Sequence, residues 1–312
     1  MNAIISYQEI ADRIGPHIHH TPVLTSHTLN TLTGASLYFK CENFQRMGAF
    51  KMRGAVNAIL QLPEADRPKG VVTHSSGNFA QALSLAASSL GVPAYIVMPE
   101  NAPKVKKEAA KGYGGIITES LPTLQEREAT ASRVQEETGA TFIHSSNDPE
   151  VILGQGTAAY ELLESQPDLN VVITPIGGGG LIAGTALAVA ERAPQCQVIG
   201  AEPFEVDDAY RSLISGKIES NETTDTIADG LKVKLGTNNF PIIVQHVKQI
   251  IRVEEQEIIQ AMRLIWERMK IVIEPSSAVA VAAVLREKKQ FAGKKVGIII
   301  SGGNVDLGKL PF

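Results

Sequence analysis

The sequence predicts an α/β protein with two lobes, in which helices cover parallel, twisted sheets. Short apolar segments alternate with helical stretches twice, from about residue 70 to residue 143 and again from about residue 171 to residue 301. Strand–helix alternation of this kind is typical of parallel sheets that pack against helices on both faces. The 312 residues, 44% of them hydrophobic, suffice for one large α/β unit or for two lobes with a cleft between them.

A helix, a strand and a second helix precede the first alternation. Ser6 and Glu9 have the spacing of a capping box, which predicts the first helix. Residues 35–41 (ASLYFKC) predict a strand, and residues 51–62 have helical spacing that stops at Pro63.

The two alternations predict the remaining elements in order. In the first, the strands are GVVTH, PAYIVM, GGIIT and ATFIH, and the helices cover residues 78–90, a stretch from about residue 103, and residues 123–138. In the second, the strands are VVITPI, QVIGAE, QIIRV and VGIIIS. No repeat or linker separates the two runs, so we expect the chain to cross between the lobes more than once.

Charge and composition exclude several classes of protein. A net charge of −4 with mixed signs gives no basic tract for nucleic acid. The first residues do not resemble a secretory signal, and the longest apolar stretches, 181–190 and 278–285, are too short to span a bilayer. Cys41 and Cys196 form no CxxC pair, which fits a reducing compartment. We therefore expect a cytoplasmic protein with no nucleic-acid or membrane partner.

Four consecutive glycines, Gly177–Gly180, follow the strand VVITPI and open a helix. Exposed backbone N–H groups at a helix N-terminus favour a phosphate. The spacing of Gly178, Gly180 and Ala183, with Glu202 ending the next strand, also suits a dinucleotide. The glycine run alone leaves open a mononucleotide, a dinucleotide or a phosphorylated cofactor.

The segment around Lys51 decides between these ligands. Residues 41–55 (CENFQRMGAFKMRGA) resemble the cofactor-lysine segment of fold-type II pyridoxal phosphate enzymes, in the branch of serine racemases and serine/threonine dehydratases. The resemblance continues in order along the chain at Ser75–Asn78, Asn147, Gly154–Thr157, Gly177–Gly180, Ala201–Pro203, Glu274–Ser276 and Ser301–Asn304.

The resemblance implies a tryptophan-synthase-β-like fold and a set of cofactor contacts. Residues 1–63 and 148–312 would form a large cofactor-binding domain, and residues 64–147 a small mobile domain. Lys51 would form a Schiff base with pyridoxal 5'-phosphate and then remove the substrate's α-proton, and a partly desolvated lysine suits both roles. The implied cofactor-binding residues are Lys51, Phe50, Asn78, Asn147, Gly177, Gly178, Gly179, Gly180 and Ser301.

Ser301 would meet the pyridine nitrogen with a hydroxyl rather than a carboxylate. The ring would then be a weaker electron sink, which suits early loss of a β-leaving group.

The implied substrate residues are Ser75, Ser76, His74 and Arg127. Ser76 matches the serine that acts as a second acid/base in serine racemases, on the cofactor face opposite the lysine, although some hydroxyaspartate dehydratases also carry serine there. Arg127 matches an arginine that binds a distal substrate carboxylate. His74 could equally be a buried histidine without a role in binding.

A divalent cation is also implied. Glu202, Asp208 and the carbonyl of Val206 match a metal site of serine racemases, and these oxygen ligands suit Mg, Ca or Mn. A helix start with acidic residues is the alternative. His17, His19 and His20 could also suggest a metal, but they have no acidic or cysteine partner nearby, so we favour a solvated or core-edge cluster.

The sequence departs from the family pattern at two places. Phe79 stands where histidine commonly follows the cofactor asparagine, and Val233 and Lys234 stand where serine racemases tend to have small hydroxyl residues. The second departure weakens a strict racemase assignment.

We therefore expect a homodimeric enzyme that acts on β-hydroxy-α-amino acids. Dehydration of serine, threonine or threo-3-hydroxyaspartate would give a 2-oxo acid and ammonia, and Ser76 implies racemisation of serine as a second activity. We expect no C-terminal regulatory domain after the Ser301 segment. The alternatives are an NAD-dependent dehydrogenase that uses the glycine run and a non-catalytic binding module.

Overall fold

A computed structural model describes residues 6–312 of the chain. The β-strands are β1 Val23–Leu24, β2 Ser36–Cys41, β3 Val71–His74, β4 Ala94–Pro99, β5 Ile116–Ser120, β6 Thr141–Phe142, β7 Val171–Pro175, β8 Gln197–Pro203, β9 Val247–Val253 and β10 Lys295–Ile300. The α-helices are α1 Tyr7–Ile14, α2 His27–Thr33, α3 Lys51–Leu60, α4 Asn78–Ser89, α5 Lys104–Gly112, α6 Leu124–Thr138, α7 Pro149–Ser165, α8 Gly180–Arg192, α9 Asp208–Ser215, α10 Phe240–His246, α11 Glu255–Met269, α12 Pro275–Arg286 and α13 Lys288–Phe291.

The strands form two sheets. The larger sheet has the order β1-β2-β10-β7-β8-β9 and is parallel except for β1, which pairs antiparallel with β2. The smaller sheet has the order β5-β4-β3-β6 and is parallel throughout. The predicted α/β class with parallel sheets covered by helices is confirmed.

Helices cover both faces of the larger sheet, which explains its apolar strands. All five residues of β7 are buried. Successive residues of a strand point to opposite faces. Val172 accordingly packs in the cluster that contains residues of α7 and α8, while Ile173 packs in the cluster with α11 and α12. A strand buried on both faces has no polar side to alternate with, as the continuous run VVITP shows.

Glycines bring three central helices into close contact. A Cβ atom on Gly154 of α7 would lie 2.7 Å from the carbonyl oxygen of Arg53 in α3. On the same helix, a Cβ atom on Gly156 would lie 2.4 Å from the carbonyl oxygen of Gly184 in α8. Neither position has room for a side chain, so the segment Gly154–Gly156 fixes α3 and α8 against α7.

A buried network of charges anchors α3 just after Lys51. The guanidinium of Arg53 donates to Glu42 (2.8 and 2.9 Å) and to Glu161 (2.6 and 2.8 Å). The amine of Lys40 also donates to Glu161, at 2.5 Å, and Thr21 donates to Glu42 at 2.5 Å. The two carboxylates balance the two cations, so the buried charges are paired.

Most predicted elements agree with the structure to within a few residues. The Ser6 hydroxyl accepts from the backbone N–H of Glu9 at the start of α1, as the capping pattern predicts. The predicted strand ATFIH is shorter than expected, because regular strand β6 ends at Phe142 and the chain turns at His144. The short antiparallel strand β1 was not predicted.

An exposed ion pair also links helix α5, which follows a strand of the smaller sheet, to the segment at Asp229. Lys106 of α5 pairs with Asp229 at 2.8 Å, and both side chains are substantially exposed. The proposed domain boundaries near residues 63 and 147, and the mobility of residues 64–147, stay predictions. Across residues 6–312, no helix combines the length and apolar character needed to cross a bilayer.

Replacing Arg53 with methionine tests how far the buried network stabilises the fold. Arg53→Met leaves Glu42 and Glu161 with one cation between them, so we expect a loss of about 3–5 kcal/mol in the free energy of unfolding, measured by urea denaturation. The control is Arg263→Met, which removes an exposed pair with Glu267 and should cost about 0.5 kcal/mol or less. Equal stability of the two variants would contradict this prediction.

Candidate functional site

The predicted site residues follow the carboxyl ends of strands in both sheets. Phe50 and Lys51 come after β2, the glycine run after β7, and Ser301 after β10. Ser75 and Ser76 come after β3 of the smaller sheet. Because parallel strands place their carboxyl ends along one edge, ligands in such folds bind there.

Lys51 is the first residue of α3, and its side chain is half-buried. The Nζ atom donates to the carbonyl oxygen of Ser145 at 2.7 Å. It lies 5.0 Å from the ring centre of Phe50 and 5.8 Å from that of Phe79. Burial lowers the pKa of Lys51 to about 8, although the nearby carboxyl of Glu274 acts in the opposite direction. The departure at Phe79 thus places an apolar ring near the amine, where it helps to exclude water.

Ser301 lies beside the Lys51 segment. Its carbonyl oxygen accepts from the backbone N–H of Phe50 at 3.0 Å, and Ala49 and Gly302 form a β-bridge. The buried hydroxyls of Ser301 and Ser277 are 2.9 Å apart, and Ser277 also donates to the carbonyl oxygen of Gly302 at 2.7 Å. The polar groups bonded to the Ser301 side chain are therefore neutral.

Asn78, the first residue of α4, joins the two sheets. Its Nδ2 donates to both carboxyl oxygens of Glu274 at 3.1 Å. Its Oδ1 accepts from the amide of Asn304 at 3.0 Å. Burial raises the pKa of Glu274 to about 7, against the opposing effect of the Asn78 hydrogen bond. Glu274 thus contacts Asn78, acts on the pKa of Lys51, and donates its backbone N–H to the carbonyl oxygen of Gly302, next to Ser301.

The serines before α4 leave polar groups free. The Ser75 hydroxyl accepts weakly from the backbone N–H of Gly77, at 3.5 Å, while the half-buried Ser76 hydroxyl has no partner within residues 6–312. No side chain caps the N-terminus of α4. The first N–H groups of a helix lack internal partners and attract anions, so this end of α4 can receive a carboxylate.

The glycine run fits a phosphate for two reasons. Gly179 adopts a φ of +83°, and no side chain caps α8. Within the described residues, the backbone N–H groups of Gly177, Gly178 and Gly179 meet no acceptor. Neighbouring segments fill the space where side chains would be, since a Cβ atom on Gly178 would lie 2.4 Å from the Ser146 hydroxyl. Free donors at a helix N-terminus are a phosphate cradle.

Asn147 contacts the segment that supports the glycine run. Its Oδ1 accepts from the backbone N–H of Asn238 at 2.7 Å, and its Nδ2 donates to Thr237 at 3.2 Å. Both ends of the amide are thus bonded to protein. The adjacent Ser146, whose buried hydroxyl has no partner in the described chain, packs on the glycine run instead.

His74 and Arg127 lie near each other at the edge of the site. The His74 ring stacks on Phe142, with centroids 5.4 Å apart. Burial lowers the pKa of His74, and the positive charge of Arg127 lowers it further. The Nε of Arg127 is buried without a hydrogen-bond partner among residues 6–312, so it can still donate to a ligand.

Glu202 and Asp208 form a separate acidic site. The Glu202 carboxylate is buried and accepts from the backbone N–H groups of Ala209 (3.1 Å) and Tyr210 (2.9 Å). Burial raises the pKa of Glu202, and the nearby charge of Asp208 raises it further. Burial also raises the pKa of Asp208, to about 6. The two carboxylates are buried and close enough for their charges to interact, and the buried Val206 lies between them in sequence. Oxygen ligands of these types fit a hard divalent cation. The same contacts remove Glu202 from the role of a ribose binder.

The three early histidines do not converge. The Nδ1 of His19 lies 3.0 Å from the carbonyl oxygen of Phe44, while the Nε2 of His20 faces Glu161 at 3.8 Å. The carbonyl of His17 accepts from Arg46. Among residues 6–312, no group of three or more His, Cys, Asp or Glu side chains has metal-binding geometry.

Several residues of the site had no role assigned from the sequence. They are Ser145, Ser146, His144, Glu274, Ser277 and Asn304. Glu274 and Asn304 stand in matched family segments, which was the available signal. Ser145, Ser146 and His144 adjoin Asn147 but carried no separate signal.

Comparisons with known proteins agree with this geometry. Residues 14–302 match the family described as pyridoxal-phosphate dependent enzyme. The chain is 52% identical to a beta-hydroxyaspartate dehydratase of Paracoccus denitrificans, covering 96% of each chain. It is 49% identical to a serine racemase of Arabidopsis thaliana, covering 98% of this chain and 94% of the relative.

A solved structure is equally similar. The serine racemase of Dictyostelium discoideum superposes with a TM-score of 0.93 at 51% identity, covering 96% of this chain and 98% of that one. With the match over residues 14–302, this likeness confirms the resemblance seen in the motifs and excludes the dehydrogenase alternative. The chain belongs to the family of pyridoxal-phosphate dependent enzymes.

Proposed function

We propose that this enzyme converts β-hydroxy-α-amino acids to 2-oxo acids and ammonia, with Lys51 as the base that removes the α-proton. The observation that carries the proposal is the half-buried amine of Lys51, which is held by the Ser145 carbonyl and flanked by the Phe50 and Phe79 rings. Its pKa, lowered to about 8, leaves a useful fraction neutral near physiological pH. The two relatives at about 50% identity, a beta-hydroxyaspartate dehydratase and a serine racemase, support this substrate class.

The cofactor would be held at three points. Gly177–Gly180 would bind its phosphate through free N–H groups, Lys51 would hold it covalently, and Ser301 would meet its ring nitrogen. Phe50, Asn78 and Asn147 would complete the surroundings, with Asn147 acting through the 237–238 segment that it already contacts. When bound, pyridoxal phosphate supplies an electron-withdrawing ring that stabilises negative charge at the substrate's α-carbon.

The substrate's α-carboxylate would bind at the N-terminus of α4. Ser75 and Ser76 lie next to its uncapped N–H groups, and the helix dipole favours an anion there. The α-carbon would then stand between the amine of Lys51 and the hydroxyl of Ser76.

Lys51 would take the α-proton, and the electron pair left on the α-carbon would expel the β-hydroxyl. The leaving hydroxyl takes up the proton that Lys51 removed from the α-carbon and departs as water, which restores the neutral amine. The released enamine rearranges and is hydrolysed to the 2-oxo acid and ammonia. The neutral partners of Ser301 support this course, because a ring nitrogen that is not held protonated leaves more charge available for the elimination.

Racemisation of serine is the second activity we propose. The Ser76 hydroxyl has no partner within residues 6–312, and it could return a proton to the face opposite Lys51. Its position next to the α4 N-terminus supports this role, as does the similarity to serine racemases.

We propose threo-3-hydroxyaspartate as an alternative substrate. The unpartnered Nε of Arg127 and the nearby His74 could bind a second carboxylate. The 52% identity to a beta-hydroxyaspartate dehydratase supports this choice.

Glu202, Asp208 and the Val206 carbonyl would hold a divalent cation such as Mg, Ca or Mn. Asp208 accepts from the backbone N–H of Leu235 at 3.2 Å, and Leu235 packs on Gly179. A cation at this site would therefore also support the phosphate cradle.

We propose a cytoplasmic homodimer in which residues 64–147 move when substrate binds. The sequence resemblance supports these three statements. Light scattering measures the mass in solution, cell fractionation the location, and small-angle X-ray scattering the movement. A monomeric mass would contradict the homodimer, and a membrane-associated protein would contradict the cytoplasmic location. A scattering profile unchanged by substrate would contradict the movement of residues 64–147.

Replacing Lys51 tests the proposed base. Lys51→Ala should lack the visible absorption band of lysine-bound cofactor and lose dehydration of serine, threonine and hydroxyaspartate by about 10³-fold or more. Lys111→Ala, at an exposed lysine, is the control and should keep both. For the wild-type apoenzyme, capture of pyridoxal phosphate should accelerate as the pH rises through about 8, because the neutral amine forms above that pKa.

A wild-type protein that stays colourless after incubation with pyridoxal phosphate would overturn the proposal. A capture rate that rises only near the ordinary lysine pKa of about 10.4 would contradict the proposed desolvation of Lys51.

Replacing Ser76 separates the two activities. Ser76→Ala should keep dehydration of the L-substrate within about threefold while interconversion of serine enantiomers falls about 10²-fold or more, as expected for loss of one acid/base group. Chiral chromatography of the products measures both. Ser89→Ala, at the exposed end of the same helix, is the control. Equal retention of both activities in Ser76→Ala would remove Ser76 as the second acid/base.

Removing the cation tests the acidic site. A chelator should lower the melting temperature, and Mg²⁺ should restore it, because a bound ion stabilises the folded state by mass action. Asp208→Asn should abolish the response, while the exposed control Asp168→Asn should keep it. A melting temperature indifferent to chelation in the wild type would exclude the cation.

A further inference from the structure

His144 stands where the chain leaves the smaller sheet, between β6 and α7. Its Nδ1 accepts from two backbone N–H groups, those of Ser146 at 3.2 Å and Asn147 at 3.0 Å. A nitrogen that accepts hydrogen bonds carries no proton of its own. The ring in this arrangement is therefore neutral, with its hydrogen on Nε2.

The surroundings of His144 keep the ring neutral. It packs edge-on against His74, with centroids 5.9 Å apart, and against Phe142 at 6.4 Å. Burial lowers the pKa of His144 to about 4, and electrostatic repulsion from His74 and Lys51 contributes to this lowering to a smaller extent. His74 in turn faces the opposite charges of Arg127 and Glu128. At neutral pH such a weak base does not compete for the substrate's proton.

The turn held by His144 contacts two parts of the site. The carbonyl oxygen of Ser145 accepts a hydrogen bond from the Lys51 amine, at 2.7 Å. The carbonyl oxygen of Ser146 accepts from Asn239 at 2.9 Å, and Asn239 also donates to Gly178 in the glycine run at 2.7 Å. The directions of the Ser145 and Ser146 carbonyls depend on the shape of the turn. That shape depends on the His144 Nδ1 atom, which accepts from the backbone N–H groups of the turn.

We propose that His144 is a positioning residue, whose neutral ring with hydrogen on Nε2 shapes the 144–147 turn so that Ser145 holds the free amine of Lys51 in place. The proposal rests on the proposed role of Lys51 as the base. His144 acts through Ser145 and does not itself transfer the proton. Misplacing a reacting group by about 1 Å can cost about 10²-fold in rate, which sets the size of the effect.

Two variants separate the acceptor from the ring. His144→Phe keeps an aromatic ring against His74 and Phe142 but has no acceptor for the turn. His144→Asn loses the ring but offers a side-chain oxygen, which in asparagine commonly accepts from backbone N–H groups just ahead in the chain. The exposed His27, replaced in His27→Phe, is the matched control.

We expect His144→Phe to lower kcat about 10- to 100-fold with KM changed less than about twofold, and His144→Asn to recover most of that loss. His27→Phe should behave as the wild type. If the asparagine and phenylalanine variants were equally impaired, or if KM rose while kcat held, the acceptor would not be the feature that matters.

The tautomer can be observed without measuring activity. In holoenzyme with ¹⁵N-labelled histidine, the His144 signals are those missing from the spectrum of His144→Asn. We expect an unprotonated Nδ1 and a protonated Nε2 throughout about pH 5–8, since this range lies above the pKa of about 4. A hydrogen on Nδ1, or titration near the ordinary histidine pKa of about 6.5, would overturn the proposal.

The two proposals fail in different ways. If Lys51→Ala kept full activity, the proposed function would fall whatever the tautomer of His144. If Lys51 proved essential while His144 carried its hydrogen on Nδ1, only the positioning role would fall.

Discussion

The buried pairing of Arg53 with Glu42 and Glu161 is the interaction on which the site depends. Arg53 lies two residues after Lys51 on α3, so its guanidinium fixes the turn of helix that carries the reactive amine. Glu42 follows β2 and Glu161 belongs to α7, so one side chain ties three elements together. The arrangement places a permanent charge close to a lysine that must be neutral to react, and the two carboxylates offset that charge locally.

Helix α3 also owes its position to glycines on the neighbouring helix α7. Gly154 and Gly156 let α7 approach α3 and α8 at backbone contact, which fixes the position of α3. The parallel pairing of β10 with β2 and with β7 places the carboxyl ends of these three strands side by side. Lys51, the glycine run and Ser301 then lie on a rigid frame. Ser75, Ser76 and Asn78 follow β3 of the other sheet, and Asn78 links this segment to the frame through hydrogen bonds to Glu274 and Asn304.

The fold and the cofactor residues could be predicted because their signals are local or belong to recognisable motifs. Alternating strands and helices show in the apolar periodicity, and the Lys51 segment and the glycine run are continuous in sequence. Glu274 stands in a recognisable motif, but its contact with Asn78 could not be predicted, because that contact spans 196 residues and depends on how two sheets meet. The role of His144 could not be predicted for another reason: whether a histidine accepts, donates or binds a metal depends on backbone directions that a sequence does not specify.

The links between the two sheets differ in how they respond to salt. Asn78 and Asn304 form a neutral amide pair, whereas Lys106 and Asp229 form an ion pair at the surface. Dissolved ions screen exposed charges over about 8 Å at physiological ionic strength but hardly affect hydrogen bonds between amides. The strength of the Lys106–Asp229 ion pair therefore depends on ionic strength, while the strength of the Asn78–Asn304 hydrogen bond does not. Added salt would weaken the link between α5 and Asp229 without weakening the link between Asn78 and Asn304.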